Sequence, residues 1–112
     1  MSAPTFWEML PCGLSMAKCL DVSTRHISKR DDELLHLECE ASSPMIITYR
    51  KERGFFVYVS YSNVQMKEKL CLDAGYSLEF IQILRIARKE GASWICIDAD
   101  GTETDTLPVF TW

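Results

Sequence analysis

The chain has no lysine and no arginine after Lys89. Over residues 90–112 five acids, Glu90, Asp98, Asp100, Glu103 and Asp105, stand against no base, whereas residues 1–89 hold 11 acids and 12 bases. The net charge of −4 is therefore carried by the C-terminal fifth, a distribution suited to a basic partner. Also lacking is any Cys-x-x-Cys pair. The five cysteines, Cys12, Cys19, Cys39, Cys71 and Cys96, are odd in number and scattered, which argues against a disulfide framework and a thiolate zinc site and points to reduced thiols in a cytoplasm. No apolar stretch approaches the roughly 20 residues that cross a bilayer, so no transmembrane helix is expected. Residues 1–8 have no basic n-region, and the apolar run behind them is broken by Glu8, Pro11 and Gly13, so no signal peptide is read there. No long single-sign or low-complexity tract suggests disorder.

What is present suits one small domain spanning residues 1–112. The 112 residues, 47% of them hydrophobic and 25% charged, suffice for one core and not for two. Residues 1–15 contain Phe6, Trp7, Met9 and Leu10 but are interrupted by Pro11 and Gly13, and are read as an irregular arm lying on the domain. A first strand is expected over residues 16–23, with Leu20 and Val22 toward one face and Cys19 and Asp21 toward the other. Ser28-x-x-Asp31 reads as a capping box opening a helix whose apolar side is Leu34, Leu35, Leu37 and Ala41, and Pro44 ends it.

Two β-rich runs follow, residues 45–50 and 55–61, joined by Lys51-Glu52-Arg53-Gly54. They read as a hairpin with a left-handed residue at Gly54. Phe55, Val57, Val59 and Tyr61 share one face of the second strand and Phe56, Tyr58 and Ser60 the other, so one face meets helices while the other shows aromatics to solvent. Residues 64–72 suggest a short helix before Asp73-Ala74-Gly75. A longer one follows, capped by Ser77, carrying Phe80, Ile83, Leu84 and Ala87 on one side and ended by Gly91. The last strand is Trp94-Ile95-Cys96-Ile97, and residues 103–112 form an extended tail anchored by Phe110 and Trp112. The order βαββαβ implies an α+β, ferredoxin-like sandwich: two main helices on a four-stranded antiparallel sheet.

Several chemical readings compete for the same residues. Asp98-Ala99-Asp100-Gly101-Thr102 after an apolar strand resembles the nucleophile motif of haloacid-dehalogenase-type phosphotransferases, in which the first Asp attacks phosphorus. That chemistry needs a downstream Lys and a metal-binding acidic pair, and only ten residues, none of them Lys, follow Thr102. An EF-hand loop needs a third acid before its Gly and a Glu at position twelve, where this chain has Val109. His26 or His36 with Cys19 or Cys39 would make a thiol–imidazole pair, yet no ligand-rich cluster accompanies them. No catalytic residue, metal or cofactor is therefore assigned. Arg53-Gly54-Phe55-Phe56-Val57-Tyr58-Val59 is similar to the stacking strand of RNA-recognition motifs, with Arg50, Lys51 and Arg53 as a basic cluster. It lacks the small residue after the first aromatic, and the first strand offers Asp21 in place of the second stacking aromatic.

Several segments carry a wider resemblance: Ser23-Thr24-Arg25-His26, Gly54-Phe55-Phe56-Val57-Tyr58-Val59, the strand Trp94–Ile97 with the Asp98-Ala99-Asp100 turn, and Leu107-Pro108-Val109-Phe110-Thr111-Trp112. They resemble a family of short uncharacterised proteins of plasmids, integrative elements and phages that tend to close with Leu-Pro-x-aromatic-Asp-Trp; Thr111 stands here in place of the Asp. The resemblance implies a small cytoplasmic accessory protein of a mobile element, and proteins of that kind frequently block host machines such as CRISPR effectors and restriction enzymes. The expectation is a non-enzymatic, anti-CRISPR-type inhibitor that engages a basic surface of a host protein through Asp98, Asp100, Glu103 and Asp105 with Phe56 and Tyr58 beside them. The alternative is a module that binds single-stranded nucleic acid through Phe56 and Tyr58, and a small phosphotransferase stands behind both.

Overall fold

The computed structural model describes residues 16–112, and the arm expected over residues 1–15 lies outside them. Strand β1 (Cys19–Ser23) runs into a single 3-10 turn (Thr24–His26) and helix α1 (Lys29–Glu40). Strands β2 (Thr48–Lys51) and β3 (Gly54–Tyr58) form the hairpin, and helices α2 (Val64–Ala74) and α3 (Leu78–Lys89) lead to β4 (Trp94–Asp98).

The helix boundaries follow from local chemistry. Ser28 Oγ accepts the Asp31 N–H at 3.0 Å while Asp31 Oδ2 accepts the Ser28 N–H at 2.9 Å, so the capping box at the start of α1 is complete. Asp31 is fully buried and also accepts the Ser77 N–H (2.8 Å) and the Ser77 hydroxyl (2.6 Å). Ser77 in turn caps α3 by accepting the Phe80 N–H at 3.1 Å. One carboxylate thus joins the N-termini of α1 and α3, where both helix dipoles favour negative charge. Gly75 and Gly91 adopt left-handed backbone, at φ 109° and 75°, and end α2 and α3.

The hairpin turns through Glu52 and Arg53, and the left-handed residue expected at Gly54 is absent: that glycine has ordinary backbone for a strand start. It is required for a different reason. Gly54 pairs with Asp98, and a Cβ there would overlap the Ile97 carbonyl oxygen.

The sheet order is β1-β4-β3-β2, with β1 parallel to β4 and the other two pairs antiparallel. The α+β class and the four strands agree with expectation. The purely antiparallel sheet does not: the sheet is mixed, the short helix expected over residues 64–72 forms α2, the third helix among the described residues, and the ferredoxin-like topology is not confirmed. Strand β4 has buried aliphatics on one face and Trp94 and Cys96 on the other, which suits a strand with neighbours on both sides. Strand β1 carries Asp21 outward and takes the edge, where a charge discourages further pairing.

Alternation along each strand sends Val22, Phe55, Val57, Ile95 and Ile97 into the core with Leu35, Phe80, Ile83 and Ala87 from the helices. The C-terminal tail wraps back over the 3-10 turn. Ser23 N–H donates to Thr102 O at 2.9 Å, Phe110 N–H to Arg25 O at 2.8 Å, and the Trp112 indole N–H to Ile27 O at 3.0 Å. Leu107 is the tail's buried anchor, while Phe110 is only partly covered and Trp112 stays exposed. Among the described residues no helix is long and apolar enough to cross a membrane.

Candidate functional site

The acidic segment does not stand free. Asp98 forms a 2.6 Å ion pair with Lys51, Asp100 a 2.8 Å pair with Arg53, and Glu103 a 3.0 Å pair with Arg25. Of the four acids Asp98, Asp100, Glu103 and Asp105, Asp105 alone has no ionic partner among the described residues, and it is exposed. The one-sided charge of the sequence is thus largely cancelled in space by bases from the hairpin and the 3-10 turn.

Lys51 reaches Asp98 across β3 because the register places Gly54, which has no side chain, between them. The pairing with Lys51, helped by the Asp100 N–H donated to Asp98 Oδ1 at 2.8 Å, holds the Asp98 carboxyl below its ordinary range, and the same contact raises the Lys51 ammonium. Both Asp98 oxygens are therefore engaged, and the Asp-x-Asp-Gly-Thr segment acts as a turn. Gly101 N–H closes it on Asp98 O at 2.9 Å, and Thr102 donates to Asp21 Oδ2 from its N–H (3.1 Å) and its hydroxyl (2.7 Å).

The sequence segments that carried the wider resemblance meet at the same end of the sheet. His26 is fully buried; its Nδ1–H donates to Pro108 O at 2.9 Å, and its Nε2 accepts the Thr104 N–H at 2.9 Å. These two partners assign the neutral tautomer and leave no nitrogen for a thiol or a metal. His36 takes a hydrogen bond from Arg50 at 3.0 Å and meets Phe55 edge-on. Among the described residues no group of three or more His, Cys, Asp or Glu is arranged to hold a metal ion.

Phe56 and Tyr58 lie on the sheet face that the helices leave uncovered, and the register adds residues to them that no single strand reveals. Tyr49 stands opposite Phe56 and Trp94 opposite Tyr58. The Tyr58 and Trp94 rings lie 5.0 Å apart, Tyr49 and Trp94 6.0 Å, and Tyr58 and Tyr61 5.7 Å. Lys51 Nζ sits 5.0 Å from the centre of the Phe56 ring. Tyr49 is 59% exposed and Phe56 37%, and together with Cys19 and Trp94 they bound a shallow concavity of about 440 Å³.

This arrangement is chemically an apolar, aromatic platform edged by internally paired charges. Of its members, the sequence points to Phe56 and Tyr58, with Lys51 in a basic cluster, but not to Tyr49, Trp94 and Cys96. The only available signal was their alternation within β2 and β4. A second concavity, about 530 Å³, lies between the outer edge of β1, α3 and the tail, lined by Leu20, Val22, Ile83, Ile86 and Leu107 with threonines at its rim.

No curated protein and no solved structure matches the chain. The segment from β1 through the tail, residues 19–112, matches the C-terminal domain of the family of unknown function DUF5983, and the chain belongs to that family.

Proposed function

We propose that this is a non-enzymatic interaction protein that binds a partner protein through the uncovered face of its sheet. The observation that carries the reading is the side-by-side placement of Tyr49, Phe56, Tyr58 and Trp94 on a face that no helix among the described residues covers. Tyrosine and tryptophan dominate the energetics of protein interfaces because they bury much area at little entropic cost and keep a polar tip for a hydrogen bond. The paired charges around the platform supply a polar rim that needs little further desolvation. In this form the aromatics are the anchor, and Asp98, Asp100, Glu103 and Asp105 orient a basic partner from one side. The narrower form, inhibition of a host defence machine such as a CRISPR effector, draws on the mobile-element setting implied by the resemblance.

The test compares wild-type protein with a Tyr49→Ser/Phe56→Ser/Trp94→Ser variant as baits in a host lysate. These side chains point away from the core, so the variant keeps its far-UV spectrum, and the partner captured by wild type is lost. Equal capture of that partner by both baits would sink the proposal.

One observation favours nucleic acid as a second reading: Phe56 and Tyr58 occupy the uncovered face, as base-stacking aromatics do. Against it, Lys51 and Arg53 are already spent on Asp98 and Asp100, and phosphate contacts govern such affinity. Salt-sensitive binding of mixed single-stranded oligonucleotides that disappears in Phe56→Ala would favour this second reading over the first.

A further inference from the structure

The uncovered sheet face also holds two cysteines that the aromatic platform does not explain. Cys19 lies on β1 opposite Trp94, and Cys96 lies two residues further along β4, opposite Asp21, on the same face. The two residues are diagonal neighbours across a parallel strand pair. Both side chains project from the same face of adjacent strands, one pleat apart along the pair, which makes them neighbours on that face. Lys51 Nζ donates to Cys96 Sγ at 3.1 Å while also holding Asp98. An exposed cysteine, a second cysteine beside it across the strand pair and an ammonium on the second sulfur form a cluster with a recognisable chemistry.

We propose that Cys19 and Cys96 are a peroxide-sensitive dithiol that closes to a disulfide linking edge strand β1 to β4. Cys96 sulfur, having lost its proton to solvent, attacks one oxygen of hydrogen peroxide. The O–O bond breaks, and the departing hydroxide takes a proton to become water, leaving Cys96 as the sulfenic acid. Cys19 sulfur then attacks the Cys96 sulfur, the S–O bond breaks, and the leaving hydroxide takes the Cys19 proton as a second water. Two thiols are oxidised by two electrons in all, and one peroxide is reduced to two waters.

The order of events follows from the surroundings. The Lys51 ammonium stabilises negative charge on Cys96 during attack. Burial, then the neighbouring Cys96 and Asp21, push the Cys19 thiol up, so Cys19 suits the second step, in which it attacks an already activated sulfur. Closing the bond asks β1 to approach β4, which an edge strand, paired within the described sheet to one neighbour only, can do. The other described cysteines are poorly placed: Cys71 is buried and pushed up to about 12 by desolvation, and Cys39 is half-buried on α1 and pushed up for the same first reason.

The test treats the full chain with hydrogen peroxide at neutral pH, blocks remaining thiols by alkylation and maps the peptides by mass. The Cys19 and Cys96 peptides should lose their free thiols in parallel and appear as one linked species two hydrogens lighter, while Cys39 and Cys71 remain alkylated. In Cys19→Ser the Cys96 sulfenic acid accumulates and is trapped by a cyclic 1,3-diketone. In Cys96→Ser, Cys19 keeps its thiol at the same dose. Lys51→Met should slow linkage about tenfold. Independent oxidation of the two cysteines without a link would overturn the proposal, as would linkage of either to Cys12 or Cys39. So would an oxygen-bridged link between Lys51 and Cys96, heavier than the two unlinked peptides by one oxygen less two hydrogens.

Discussion

Tyr76 packs in the core, 3% exposed and stacked on Phe80 at a centroid distance of 4.5 Å, but its hydroxyl is buried with no hydrogen-bond partner among the described residues. A buried hydroxyl that exchanges water for nothing costs about 1–3 kcal/mol, whereas the ring contributes its full apolar area with or without the oxygen. Tyr76→Phe is therefore expected to raise unfolding free energy by about 1 kcal/mol in urea titration, at unchanged m-value. A loss of stability would show that the hydroxyl has a partner. Asp31 is the contrasting case: equally buried, it accepts from Ser28 and Ser77 and holds two helix starts together. Half of that device could be read in Ser28-x-x-Asp31, because a capping box is local; the link to Ser77 could not, because it crosses 46 residues.

Among the elements, the tail shows how an extended segment without regular structure is held. Two hydrogen bonds to His26, one indole bond to Ile27 and the buried side chain of Leu107 fasten it over the 3-10 turn. His26→Ala removes both imidazole contacts and leaves Pro108 O and the Thr104 N–H without their partner, at an expected cost of about 2–3 kcal/mol. The measurement is paired: global stability falls by that amount, and the amide of Thr104 exchanges with solvent faster than that of Ile95 in the core. Equal acceleration at both sites would mean that His26 supports the whole core and not the tail.

The elements also mark the limit of local patterns. Capping residues, glycine stops and the alternation of Phe55 to Tyr61 signal helices and a half-covered strand, because each depends on neighbours in sequence. Which strands lie side by side depends on the packing of the whole chain. For that reason Tyr49 and Trp94 were not joined to Phe56 and Tyr58, and β1 was expected in an antiparallel sheet.

For the molecule as a whole, the decisive contrast is between charge along the chain and charge in space. Residues 90–112 carry five acids and no base, yet three of those acids meet Lys51, Arg53 and Arg25 from distant parts of the fold. Two of these pairs, Asp100–Arg53 and Glu103–Arg25, are well exposed and contribute little. The Asp98–Lys51 pair is more shielded, and it gives stability a defined pH dependence. Lys51 and the Asp100 N–H lower the folded-state pKa of Asp98, so its contribution is fully present above the unfolded carboxyl value of about 3.9 and is lost as pH falls through the folded value. Lys51 is shifted upward, so its half of the pair is fully present below the ordinary lysine range and is lost only as pH rises beyond it.

Asp98→Asn should therefore lower Tm by a constant amount between about pH 5 and pH 9, and the gap to wild type should close as the pH drops below the ordinary carboxylate range. Asp105→Asn, with no ionic partner among the described residues, should leave Tm unchanged throughout. A gap for Asp98→Asn that persists at strongly acid pH would mean that the carboxyl acts through its hydrogen bond to the Asp100 amide and not through its charge. Reversing all four acids consequently tests two things at once, since it places a cation against Lys51 and removes the acidic rim. Among the four acids only Asp105→Lys changes the charge of that rim without breaking an ion pair, and it is the substitution that isolates the contribution of acidity to partner binding.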